Sequence, residues 1–207
     1  VGVYISGHPL DDFKTEIDNF CNVKVSDFYE MERFINREVC FGGVVSDVQH
    51  RESKAGKGWA IFTVEDYTDS FEFKIFGEDY LKWRHFLVPN SFVYARVFVK
   101  EGWTNRETGK KSDPRMQYNQ FAMLHDVMGN QAKKLTIQMP IEQLQEHRIK
   151  LLKEVLNAHK GESQLHFTMY DVNDKVKLNM PSRKQKVAIS KELLDELKEK
   201  EIVYKLN

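Results

Sequence analysis

No Gly-rich phosphate loop interrupts this sequence, and no Ser, Cys or His stands in a nucleophile motif, so phosphoryl and acyl transfer have no visible machinery. The two cysteines, Cys21 and Cys40, lie in different segments without metal-ligand spacing, and the seven histidines are scattered with no i, i+4 pair. No metal and no cofactor is therefore expected, nor a small-molecule ligand. Unpaired cysteines fit a reducing compartment, and a cytoplasmic setting is expected. No apolar run has the length of a membrane span and no secretory signal opens the chain, so no membrane partner is expected either. A net charge is missing too: 31 Lys and Arg balance 31 Asp and Glu, and any electrostatic argument has to be local. The chain shows no internal repeat and no low-complexity tract. Its 207 residues suffice for one or two domains with their own cores, and a start at Val1 reads as a fragment of something longer.

What is present is alternation. Val39 to Val48 is rich in β-branched and small residues, with Gly42-Gly43 suited to a bend or bulge. Trp59 to Glu65 places Ala60, Phe62 and Val64 on one face and Trp59, Ile61 and Thr63 on the other. Asp66 to Asp69 supplies turn residues, after which Phe71, Phe73 and Ile75 alternate with Glu72 and Lys74. Glu78 to Phe86 reads as a short helix with Leu81 and His85 at helical spacing, and Phe92 to Lys100 and Arg115 to Leu124 read as strands. Strand, loop, strand, tight turn, strand, helix, strand, loop, strand is the order of an OB-fold, a closed five-stranded barrel whose outer face and two loops commonly bind single-stranded nucleic acid.

The flanks differ in period. Residues 1–37 read as a helical connector: Pro9 opens a helix with Leu10, Phe13, Ile17 and Phe20 on one side, and Ser26 suits the N-cap of a second short helix. The barrel is assigned to 38–127 and a small α+β domain to 132–207. In the latter Leu135, Ile137 and Met139 alternate. Pro140 to His159 forms an amphipathic helix through Ile141, Leu144, Ile149, Leu152, Val155 and Leu156, ending near Gly161. Strands follow at Leu165 to Tyr170 and Lys175 to Met180, joined through Val172-Asn173-Asp174. A helix around Leu193, Leu194 and Leu197 then follows Ser190, and a strand runs from Ile202 to Leu206. The fold class is thus mixed β and α+β.

Candidate contacts with a nucleic-acid strand sit on the loops and the adjoining strands. The segment His50 to Gly58 carries Arg51, Lys54 and Lys57 with glycines that let backbone approach phosphate, and the same composition also suits a solvated hairpin tip. The segment Gly102 to Lys111 combines Trp103 with Arg106, Lys110 and Lys111, followed by Arg115. Trp103 either stacks on a base or tucks against the barrel rim. Trp59 points outward, toward a base or toward a neighbouring domain. Lys74 shares that face, beside Glu72. Glu65, Asp66 and Asp69 have the residue types of a metal site, but hairpin turns use the same residues for backbone hydrogen bonds. His8 before Pro9 reads as a cap or packing residue.

The opening Gly2-Val3-Tyr4-Ile5-Ser6-Gly7-His8-Pro9-Leu10 resembles the segment preceding the OB domain in the alpha subunit of bacterial DNA polymerase III, the C-family replicative polymerase. Phe41-Gly42-Gly43-Val44-Val45 is similar to that barrel's first strand. Phe62-Thr63-Val64-Glu65-Asp66 followed by Phe71-Glu72-Phe73-Lys74-Ile75-Phe76 is similar to its hairpin, and the likeness runs on through the terminal domain with its His159-Lys160-Gly161 turn. Two departures stand out: Asp69 where the family often has Gly, and a long, charged loop before Arg115. The resemblance implies a non-catalytic C-terminal portion of a DNA-directed DNA polymerase, a nucleotidyltransferase whose palm lies upstream. It implies a barrel that holds single-stranded template DNA and a terminal domain that docks the clamp-loader tau subunit and other replisome proteins. Leu151, off the main helical stripe, together with Leu194 and Leu197, is the expected docking set, although a small domain's own core also uses such leucines. A pure protein-interaction adapter and an OB-type tRNA-binding module are the alternatives.

Overall fold

The computed structural model describes residues 7–104, 108–109, 111–171, 173 and 175–206. The chain divides into two compact units, Val1–Val127 and Met128–Asn207. Among the described residues no helix is long and apolar enough to cross a membrane.

In the first unit β1 (Arg37–Glu52), β2 (Gly58–Glu65), β3 (Ser70–Phe76), β4 (Phe92–Lys100) and β5 (Arg115–Met123) form an antiparallel sheet in the order β3-β2-β1-β4-β5. The length of β1 makes this order possible: Arg37 to Val44 pairs with β4, and Val44 to Glu52 pairs with β2. At the changeover a Cβ on Gly43 would lie 2.4 Å from the Glu65 carbonyl oxygen, so any side chain there would force β1 away from β2. The bulge is not at the glycine pair; the register shifts between Val45 and Asp47, and the glycines serve close approach instead.

Alternation supplies the core. Ala60, Phe62 and Val64 of β2, Phe73 and Ile75 of β3, and Val93, Ala95, Val97 and Val99 of β4 are all buried. The Phe41 and Phe73 rings stack at 4.8 Å, and Phe28, from the 3-10 segment Val25–Phe34, meets them edge-on at 4.9 and 5.0 Å. The sheet curls so far that Phe62 lies 6.1 and 6.2 Å from the Tyr118 and Phe121 rings of β5. The expected closure is nevertheless incomplete, because among the described residues no ladder joins β3 to β5. Side chains hold that seam. Tyr118 Oη donates to the Lys74 carbonyl at 3.1 Å, and the Tyr118 amide donates to Asp79 at 3.0 Å. Burial raises the Tyr118 phenol above its usual pKa and keeps it a neutral donor.

Asp79 belongs to α2 (Gly77–Trp83), which a 3-10 turn, Arg84–Phe86, extends between β3 and β4. Its inward face is not the Leu81–His85 face that spacing suggested. Tyr80 is buried and Leu81 is 63% exposed, because the Trp83 indole donates to the Tyr118 carbonyl at 3.0 Å and so orients the short helix. At the N-terminus α1 (Lys14–Phe20) starts later than Pro9, after the turn Asp11–Phe13. Leu10 is fully buried beside Tyr94 and Leu124. His8 packs as expected, its Nδ1 accepting from the Leu10 amide at 3.2 Å and its ring 4.4 Å from Tyr67. Ser26 is not an N-cap: the Asp27 carboxylate accepts from the Lys24 amide at 2.8 Å, and the Ser26 amide donates to Thr68 Oγ1. After β5 comes α3 (Leu124–Gln131).

The second unit has β6 (Lys134–Pro140), β7 (Lys160–Tyr170), β8 (Lys177–Val187) and β9 (Val203–Leu206) in the order β8-β7-β6-β9. β6 and β7 run parallel because α4 (Glu146–Ala158) provides the crossover, and β8 and β9 are antiparallel to their neighbours. α5 (Lys191–Glu199) opens at Ser190, whose Oγ accepts from the Leu193 amide at 3.3 Å, as an N-cap should. α4 is shorter than the expected 140–159, since Ile141–Gln143 forms a separate 3-10 turn. β8 is longer, continuing through Val187. Leu194 and Leu197, expected as docking residues, are 0% exposed and closed into the unit's own core, the other use that such leucines have in a small domain. Leu151 is half-buried.

Candidate nucleic-acid interface

Alternation and register together build the outer face of β1, β2 and β3. Arg51 lies opposite Trp59, and Trp59 lies opposite Phe76. The next outward row is Gln49, Ile61 and Lys74, followed by Asp47, Thr63 and Glu72. The Arg51 guanidinium sits 5.5 Å over the Trp59 ring, and Trp59 stacks on Phe76 at 5.3 Å and 18°. Phe76, 56% exposed, ends the row with a free aromatic surface. Sequence reasoning placed Trp59 outward and left Phe76 unassigned. The parity that sets Phe71, Phe73 and Ile75 inward already turns position 76 outward.

The first loop is tighter than the segment 50–58. His50, Arg51, Glu52 and Gly58 are strand residues, and only Ser53 to Lys57 turns, closed by the Ser53 amide donating to the Lys57 carbonyl at 2.9 Å. Lys54 and Lys57 are exposed at its tip. The second loop continues the β4–β5 hairpin. Thr104 bridges Lys111, and the Ser112 amide donates to the Trp103 carbonyl at 2.8 Å. A Cβ on Gly102 would collide with the Ser112 carbonyl at 1.8 Å, so this crossing of the two arms requires glycine. Trp103 does not tuck against the rim. It is 68% exposed, with the Arg115 guanidinium 4.0 Å over its ring. Lys111 pairs with Glu101 at 3.0 Å, and Lys74 stands 3.9 Å from Glu72, both in open solvent where such pairs are weak. Arg106 and Lys110 lie outside the described residues.

The two aromatic sites meet in one groove. Lys74, Phe76, Asp79, Trp103, Arg115 and Met116 line a depression of about 570 Å³ along the β3–β5 seam. Glu72 and Asp113 line it as well, so its field is mixed in sign. The arrangement offers planar surfaces for stacking and guanidinium and ammonium groups for phosphate. The acidic turn has a structural use: Asp66 accepts from the Val25 amide at 2.8 Å and from the Thr68 and Asp69 amides, tying the N-terminal segment to the β2–β3 hairpin. Among the described residues no three His, Cys, Asp or Glu side chains come together as a metal site.

Comparison with known proteins agrees with this geometry. Residues 39–123 match the OB-fold nucleic acid binding domain family, and residues 135–207 match the family described as DNA polymerase III alpha subunit, C-terminal domain. The chain is 23% identical over 200 residues to the DNA polymerase III subunit alpha of Mycobacterium tuberculosis, an alignment covering 96% of this chain and 16% of that one. It is 24% identical to the Bacillus subtilis subunit over 87% of this chain and 15% of the relative. The Campylobacter jejuni subunit is 34% identical over 76 residues, 37% of this chain and 6% of the relative. The chain thus spans about a sixth of the length of the first two relatives.

Proposed function

We propose that this chain, a homologue of the C-terminal region of the bacterial DNA polymerase III alpha subunit, holds single-stranded DNA on its first unit and docks the clamp-loader tau subunit through its second. The observation that carries the first half is the row Arg51–Trp59–Phe76, which presents a stacked, partly exposed aromatic surface beside two cationic loops. A base covers Phe76 or Trp103. Arg51, Lys54, Lys57, Lys74, Arg115 and the loop cations Arg106, Lys110 and Lys111 contact phosphates. The chain itself does no chemistry in this reading; the polymerase that contains it would perform nucleotidyl transfer in the bacterial cytoplasm, as part of the replisome.

A labelled oligo-dT titration of the full chain at several salt concentrations tests this. Each phosphate contact contributes about 0.7 to the slope of log K against log salt on a single strand, so K54A/K57A should flatten the slope by about 1.4 if both lysines engage. An unchanged slope and affinity would remove the loop from the site. One observation favours a protein-adapter reading instead: Asp47, Glu65 and Glu72 share the outer face with the aromatic row. Absence of oligonucleotide binding at low salt would decide for that reading.

A further inference from the structure

The second unit leaves an apolar groove open beside a strand that carries cations and no carboxylate. Phe167, Met169 and Met180 of the sheet and Leu144, Ile149 and Leu156 of the helical side enclose a groove of about 260 Å³. The cause lies in the helical layer. α4 buries Leu152, Val155 and Leu156, and α5 packs on α4 and toward β9; α4 meets β8 near Gln185, which donates to Asn157 at 3.3 Å, while the β8 residues Leu178 and Met180 stay exposed. In register with Met169 and Phe167, Leu178 and Met180 remain 53% and 37% exposed, and Ile149 across the groove remains 37% exposed. A continuous apolar strip of this kind on a small unit marks an interaction surface.

Along β8 the rim is cationic. From residue 175 to 191 the chain holds Lys175, Lys177, Arg183, Lys184, Lys186 and Lys191 with no Asp or Glu. Lys186 pairs with Glu162 at 3.1 Å, whereas Lys175, Lys177, Arg183 and Lys184 have no ion pair among the described residues. Lys153 lines the groove from the other side. Extension of the sheet by a partner's strand is disfavoured, because β8 is an edge strand that contains Pro181, which has no N–H to donate, and its run of like charges opposes edge pairing. Phosphate alone would leave Leu178, Met180 and Ile149 uncovered. A helix with an apolar stripe bordered by Asp and Glu satisfies both the groove and the rim.

We infer that the groove between α4 and β8 is the docking site for an acid-flanked amphipathic helix of a partner protein. The identification of that partner as tau rests on the reading given under Proposed function. The test is calorimetric titration of the full chain with purified tau, using L178D/M180D for the stripe and K177E/R183E/K184E for the rim, both on exposed positions. The stripe variant should lose affinity about tenfold or more at every salt concentration, and the rim variant should lose it at low salt only. Near-ultraviolet circular dichroism checks that each variant keeps the parent's fold.

Equal tau binding by parent and variants overturns the groove and leaves tau docking intact. If the parent does not bind tau, the tau reading falls by itself. The groove is then judged with a stapled helical peptide bearing an apolar stripe and acidic flanks, and with its charge-inverted twin, reported by a fluorophore on L178C. Preference for the acidic peptide supports the groove; equal or reversed preference overturns it. Loss of oligo-dT binding in the rim variant with tau binding unchanged would make the rim a nucleic-acid surface. Concentration-dependent dimerisation abolished by L178D/M180D would make the occupant a second copy. Either result overturns the proposal.

Discussion

The two units carry almost the same number of cations and opposite net charges. Residues 1–127 hold 16 Lys and Arg against 20 Asp and Glu, and residues 128–207 hold 15 against 11. Judged by overall field, the second would be the partner for a polyanion. The first, however, presents the aromatic surfaces, Trp103 and Phe76 among them, while the second exposes Val176, Leu178, Met180 and Ile141. Fields from exposed charges fade within about 8 Å at physiological salt, so what a surface holds is decided by the groups it presents at contact. Aromatics with guanidinium groups suit bases and phosphates; aliphatics with ammonium groups suit an acidic protein helix.

That contrast breaks most severely at the cores. Phe73 touches Phe28, Phe41, Phe62 and Phe71, and Phe73→Ala should cost the first unit about 3–5 kcal/mol. Leu197→Ala should cost the second about 2–5 kcal/mol. Urea melts followed by tryptophan fluorescence for the first unit, whose residues include Trp59, Trp83 and Trp103, and by far-ultraviolet circular dichroism for both, should show one transition moving in each variant. If Leu197→Ala leaves stability unchanged, the leucine is not the core residue that its 0% exposure indicates.

A smaller effect sharpens the comparison at the aromatic row. Phe76→Ala should weaken oligo-dT binding by about 1–3 kcal/mol at all salt concentrations with little change of slope, since a stacked base carries no extra counterion. The same substitution should leave tau binding untouched. A slope that falls along with the affinity would mean that Phe76 only positions a neighbouring cation such as Lys74 or Arg115.

Much of this was legible in the sequence. Period-2 alternation located all five strands of the first unit and the inward face of β2, because a strand with one buried face has only one workable register. Asp66 was legible as a turn residue, and Ser190 as the residue that a helix follows, because those signals are local. Closure of the barrel was not legible: it depends on the distance between β3 and β5, which sidechain seams such as Tyr118 to Lys74 can bridge without a ladder. Nor was the start of α4, where Ile141 and Leu144 lie three residues apart, a spacing that serves a 3-10 turn as well as an α-helix. That ambiguity hid the groove, since an α-helix running from Pro140 would have turned those side chains into the core. The burial of the leucines was not legible for a related reason. Periodicity shows that Leu194 and Leu197 share a face, but only packing shows that the face is inward.

The smallest effect concerns the joint between α4 and α5. His159 Nε2 lies 2.9 Å from Glu196, which also receives Lys200 at 3.4 Å, and the histidine hydrogen bond, aided by Lys200, lowers the Glu196 pKa below its ordinary value of 4.5. A carboxylate whose folded pKa is depressed favours the folded state above its unfolded pKa, and this contribution is lost as pH falls through the folded value. The pair is partly open to solvent, so the effect is modest. Melting of the full chain at neutral pH should show Glu196→Gln slightly less stable than the parent, with the two converging as the pH drops below about 4. The first unit has no part in this contact, so its transition should give the same pH curve in both proteins. A gap between parent and variant that persists in acid would assign the role of Glu196 to packing against α4 rather than to its charge.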